Sequence, residues 1–153
     1  MKLAEVELEF GEGQYLFRLP PVYVDKIQKQ RGFDVTWPDG STGKRPKPIG
    51  MIALEIMGGQ FDILDCNAII LSGAQAGGRK IVDGVETELS AVKARIDVED
   101  ILQTMTIADI HETARAILGA CWYGFDDDKG QSDEGKDSPK TADSSTSEQP
   151  PKP

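Results

Sequence analysis

The chain has 153 residues, 26 acidic and 17 basic side chains, and a formal charge of −9, enough for one folded domain. So acidic a chain is not expected to bind nucleic acid or an anionic membrane surface, since phosphate groups require lysine and arginine. No apolar run approaches the ~20 residues that span a bilayer, and the start, MKLAEVELEF, carries acidic residues where a secretory leader would be apolar, so a cytoplasmic protein is expected. In that compartment Cys66 and Cys121, far apart and each in an apolar helical pattern, are expected as free thiols and not as a disulfide.

The first element is written in VELEFGEGQYLFRL, residues 6–19. Val6, Leu8 and Phe10 alternate with Glu7 and Glu9. After Gly11-Glu12-Gly13, Tyr15, Phe17 and Leu19 alternate with Leu16 and Arg18. Period two means a strand with one dry and one wet face, and the glycines suit a tight hairpin turn. A lone hairpin is marginal in water, so later elements must cover it. PPVYVDKIQKQRG predicts a helix from about Pro21 to Arg31, with proline in its first turn and Gly32 after it. Residues 33–48, FDVTWPDGSTGKRPKP, carry prolines, glycines and a Pro-Asp-Gly turn, and read as a long solvated loop holding Lys44, Arg45 and Lys47.

IGMIALEIM, residues 49–57, predicts a short buried helix stopped at Gly58-Gly59. Asp62 is placed to cap the next helix, in which Ile63, Cys66, Ile70 and Ala74 share one face, flanked by Leu64, Ala68 and Leu71, until Gly77-Gly78. Residues 79–89 read as irregular, with Asp83-Gly84 a turn signal and two very short strands around it as the alternative. Ser90–Met105 reads as helical with an interruption near Asp97. Thr106 caps the last helix, whose Ile107, Ile110, Ala114, Ile117, Leu118 and Cys121 form a stripe that ends at Gly124. The expected fold class is α+β: an N-terminal β-hairpin packed on four or five helices, over residues 1–125. From Asp126 onward there are eight acidic and four basic side chains, net −4, leaving −5 for the rest, and no aromatic or large aliphatic residue. Such a segment cannot offset its ordering entropy by burial, so 126–153 is expected to be a disordered acidic tail.

No catalytic, cofactor or metal constellation stands out. Gly73–Lys80, GAQAGGRK, has the glycine spacing of a phosphate-binding loop, but Arg79 occupies the lysine position and Lys80 the hydroxyl position, and a helical stripe precedes it where the motif needs a strand. His111, the single histidine, has no nucleophile pattern nearby. Asp97, Glu99 and Asp100, like Asp62 and Asp65, read as acids at helix starts. Trp122 and Tyr123 close the last helix. Either ring, if exposed, suits a partner contact, as does Trp37 in the 33–48 segment; core burial of the helix pair is the alternative.

The order of these parts resembles the tail assembly chaperones of gene transfer agents and related long-tailed phages, a family also described as gene-transfer-agent tail tube proteins. The resemblance rests on EVELEFGEGQYLFRL (5–19), VYVDKIQKQRG, GGQFDILDCNAIILSGAQAGG (58–78) and IADIHETARAILGACWYG, and covers nearly all of residues 4–125. The 33–48 segment is longer than the family's usual connection and the acidic tail is extra. The resemblance implies a protein without catalysis or cofactor. It would bind the tape-measure protein, help recruit the tail tube protein, and act in the host cytoplasm without staying in the mature particle. A structural tail tube subunit and a nucleotide-binding protein using Gly73–Lys80 are the alternatives; self-association is a further expectation.

Overall fold

The computed structural model describes residues 2–126. The strands and helices run β1 (Lys2–Leu3), β2 (Glu5–Phe10), β3 (Gly13–Arg18), α1 (Pro21–Gln30), β4 (Phe33–Thr36), β5 (Thr42–Arg45), α2 (Ile49–Gly58), α3 (Ile63–Gly77), β6 (Arg79–Val82), β7 (Val85–Glu88), α4 (Ala91–Leu102), α5 (Ile107–Tyr123) and β8 (Phe125–Asp126). The α+β class and the opening hairpin are therefore present. The tail expected at 126–153 lies, apart from Asp126, outside the described residues, and β8 pairs with β1.

The hairpin is the start of a larger sheet. Strands β2 and β3 pair antiparallel with Glu5 opposite Arg18 and Phe10 opposite Gly13, and Gly11 alone takes the positive φ (64°) that the two-residue turn needs. Strand β6 then pairs with β3, and β7 with β6, giving the order β2-β3-β6-β7. The turn at Asp83-Gly84 is as the sequence predicted, with φ of 52° and 79°. As an inner strand, β3 is buried on both faces. Tyr15 and Phe17 both pack edge-on to Phe10, and Leu16, on the face expected to be wet, is buried as well. It sits between Glu7 on β2 and Arg79 on β6, whose side chains bond at 3.1 Å.

Helix α3 is the centre of the fold. Asp62 caps it by accepting from the Leu64 N–H at 2.8 Å, and Gly78 (φ 72°) ends it. The expected stripe is present at Cys66, Ile70 and Ala74, but burial extends to Asp65, Ala68, Ile69, Ser72 and Gly73 because β3, α1, α4 and α5 all pack on it; Leu64, expected on the flank, is exposed. Gly73 and Gly77, one turn apart, face β3. A Cβ at Gly73 would lie 3.2 Å from the Phe17 ring, and one at Gly77 would overlap the Leu16 carbonyl oxygen. At Gly77 only hydrogen lets the helix lie this close to the strand, and at Gly73 a methyl group would crowd the Phe17 ring.

Two expectations fail. Residues 33–48 are not a loop: β4 and β5 form a second hairpin with Phe33 opposite Arg45 and Thr36 opposite Thr42. The Pro-Asp-Gly turn closes it, with Trp37 N–H donating to the Ser41 carbonyl and Asp39 Oδ1 accepting from the Ser41 N–H and hydroxyl. Helix α4 runs through Asp97 without interruption, from its Ser90 cap to Leu102.

The close approach at Gly77 yields a paired test. Gly77→Ala is expected to cost about 3 kcal/mol or more in chemical unfolding, because backbone must move. Gly58→Ala, in a helix where an added Cβ meets nothing within 4 Å, is expected to be neutral or to gain ~0.5 kcal/mol.

Candidate functional site

An exposed apolar groove lies between α2 and α5. Helix α2 carries a single charged residue, Glu55, yet only Ile52, Ala53 and Ile56 are buried. The expectation of a buried helix holds for one face. Its other face leaves Met51, Leu54 and Met57 at the surface, with Leu54 75% exposed. Gly50, Ala53, Leu54 and Met57, at offsets of three, four and seven, line one side of a groove of about 450 Å³; Leu118, Trp122 and Tyr123 of α5 line the other. Trp122 is 53% and Tyr123 72% exposed, so core burial is not the fate of either ring.

The groove walls are held by polar contacts beneath them. His111, on α5, places Nε2 2.7 Å from the Ile56 carbonyl oxygen in the last turn of α2 and stacks on Phe61 with 4.1 Å between ring centroids. A carbonyl only accepts, so Nε2 carries the proton. The histidine joins the two helices. At the other end Asp65, with a side chain 1% exposed, accepts from Arg31 Nε at 2.7 Å and from Lys47 Nζ at 2.5 Å; Lys47 also bonds Glu55 of α2 at 2.7 Å. Burial alone would lower the Lys47 ammonium, but the Asp65 and Glu55 carboxylates outweigh it and hold it above the usual lysine range. Arg31 and Lys47 stand just before and just after the β4–β5 hairpin, so one buried carboxylate fixes both the foot of that hairpin and the entry to α2.

The other residues weighed in the sequence fall elsewhere. Trp37, 43% exposed, stands on the β4–β5 hairpin and does not line the groove. Gly73–Lys80 is helix followed by strand, the reverse of a phosphate loop. Its glycines up to Gly77 lie inside α3, Arg79 bonds Glu7 and Glu86, and Lys80 bonds Asp97. No group of three His, Cys, Asp or Glu able to hold a metal occurs among the described residues. Cys66 is buried and free, and burial, with the charges of Asp65 and Asp62, pushes its thiol up to about 11; Cys121 is free and half-buried. No helix among the described residues is long and apolar enough to cross a membrane.

Asp62 is a cap, as its position predicted, and Asp65 stands in the first turn of α3, where it is also ion-paired, but Asp97 is not at a helix start. Asp97 lies in the middle of α4, where Lys80 Nζ (2.8 Å), Lys93 Nζ (3.2 Å) and the Tyr15 hydroxyl (3.2 Å) converge on it. Sequence alone does not show these contacts, since Tyr15 and Asp97 are 82 positions apart. The α2 side of the groove left only a weak signal: with Glu55 its one charged residue, this helix has little polar surface to turn to water, but nothing local says which apolar residues stay uncovered.

No protein-family model, curated protein or solved structure matches the chain. The functional reading therefore rests on the groove and the residues around it.

Asp97 gives a pH test. Burial alone would raise its carboxyl; the hydrogen bonds from Lys80 and Lys93 outweigh burial and hold it below the usual range. A depressed carboxylate contributes stability above its unfolded value and loses it as pH falls through the folded one. Asp97→Asn is expected to unfold about 2 kcal/mol more easily than wild type at neutral pH, and the gap is expected to close as pH drops below about 4. Urea unfolding of both proteins across that range checks it.

Proposed function

We propose that the protein is a tail assembly chaperone of the gene-transfer-agent and long-tailed-phage type. In this reading it acts in the cytoplasm of the bacterial host and catalyses no reaction. It binds the tape-measure protein, a long helical client that would otherwise expose apolar surface, and helps bring tail tube subunits to it. The observation that carries the reading is the α2–α5 groove: two helices present leucine, methionine and two aromatic rings to solvent along a trough with Gly50 and Ala53 at its side. An amphipathic helix laid into such a trough buries its apolar face against theirs. Large exposed aromatics next to flexible methionine suit a client whose successive segments differ in sequence. The resemblance of residues 4–125 to the chaperone family supplies the identity of that client.

A structural tail tube subunit is the second reading, favoured by the strands β4–β7 that extend the chain beyond its opening hairpin. Mass spectrometry of purified particles separates the two, because a tube subunit is present there in many copies and a chaperone is not retained.

Coexpression tests the reading directly. The tape-measure protein is expected to stay soluble and copurify with the wild type. Trp122→Ala is expected to weaken that association at least tenfold, the size of one aromatic anchor, while shifting the melting temperature little. No copurification with the wild type would contradict the proposal; a large loss of stability with unchanged binding would return Trp122 to the core.

A further inference from the structure

The sheet β2-β3-β6-β7 ends on β7, whose outer edge pairs with no other strand among the described residues, and all four of its residues are exposed. The register sets Glu7, Leu16, Arg79 and Glu88 in one row across the sheet. Arg79 reaches Glu7 at 3.1 Å and Glu86 at 3.5 Å, and its Nε is buried with no partner; Glu88 makes no ion pair among the described residues. One guanidinium thus faces three carboxylates, and the β7 edge is negative and short of cations.

The edge of β5 has the opposite character. It pairs on one side only, with β4, and it carries Lys44 and Arg45, both exposed. The nearest carboxylate to Lys44 is Asp34, at 4.0 Å. The hairpin stands on the buried Asp65 bridge, so this edge is presented on a fixed foot.

We propose that β5 of one copy of this chain adds antiparallel to β7 of a second copy, continuing the four-stranded sheet into the β4–β5 hairpin of its neighbour. Both edges are four residues long and open, and their charges are complementary. Like edges repel: β7 on β7 opposes glutamates, and β5 on β5 opposes cations. The other sheet edge, β2, is the poorer acceptor because it is partly buried, whereas all four residues of β7 are exposed. Side chains alternate along a strand, so Glu86 and Glu88 share one face while Lys44 and Arg45 take opposite faces. Whatever the register, one of the two cations falls on the glutamate face and the other does not. This contact is separate from the α2–α5 groove and does not depend on the client proposed for it.

Light scattering at low salt across a concentration series, with charge-swap variants, tests this. The wild type is expected to show a mass that rises with concentration and falls back to the monomer as salt is added. Lys44→Glu with Arg45→Glu, and separately Glu86→Lys with Glu88→Lys, are each expected to weaken association about tenfold or more. Mixing the two swapped proteins is expected to restore it. Of the single changes Lys44→Glu and Arg45→Glu, one is expected to weaken association clearly more than the other. In the wild type, amide exchange at Thr42–Arg45 and Val85–Glu88 is expected to slow with concentration, a readout that needs no variant to fold. A monomer at every concentration, association indifferent to the swaps, no restoration on mixing, equal effects of the two single changes, or unchanged exchange at both strands would each overturn the strand pairing.

Discussion

The fold depends on how closely α3 lies against β3. Gly73 and Gly77 place hydrogen where any other residue would place carbon, so the helix backbone rests on Phe17 and on the Leu16 carbonyl. That contact makes α3 a central rod buried on nearly all sides, and α1, α4 and α5 gather around it. It also makes β3 an inner strand with both faces covered, which lets β6 and β7 extend the sheet. A buried helix must satisfy its polar groups internally, and Asp65 does so with Arg31 and Lys47. The same carboxylate that answers the burial of α3 therefore orients the second hairpin and the start of α2.

The groove follows from what the core leaves over. Helices α3 and α5 direct their apolar faces inward. Helix α2 has more apolar surface than the core accepts: Ile52 and Ile56 are fully buried, while Leu54 and Met57 stay in water. The chain ends its last helix with two more exposed rings beside them. His111 ties α5 to α2, and the Asp65 cluster ties α2 to α3 through Lys47 and Glu55, so the exposed apolar surface is a shaped trough on a fixed support. Its polar neighbours are engaged in ion pairs, a hydrogen bond and a ring stack.

Much of the fold was legible because its determinants are local. Asp62, Ser90 and Thr106 cap the helices they precede, and Asp83-Gly84 turns where the pattern says. What escaped depends on distance along the chain. The β4–β5 hairpin is nearly all exposed, so its strands carry no dry face for a period of two to reveal. The glycines of GAQAGG read as helix termination and a failed phosphate loop. Gly78 does terminate, but Gly73 and Gly77 are there for the strand that crosses them, and no window of sequence around residue 75 contains that strand. Asp65 is the first-turn acid its position predicted, but its bonds to Lys47 and Arg31, 18 and 34 residues away, are not local, and Asp97 reads as a helix-start acid only because Lys80 and Tyr15 are 17 and 82 residues away. At the groove, Trp122 and Tyr123 were legible as aromatics at the end of an amphipathic helix; Leu54 and Met57 were not, because an apolar nonapeptide reads as buried until the neighbours that fail to cover it are known.

In the proposed function the trough between α2 and α5 receives a helical client. Hydrogen–deuterium exchange of the protein alone and bound to the tape-measure protein tests it most directly. Protection is predicted at Met51–Met57 and at Leu118–Tyr123, with β7 and the β4–β5 hairpin unchanged by the client. Protection confined to the sheet edges, or none at either helix in a complex that does form, would contradict it.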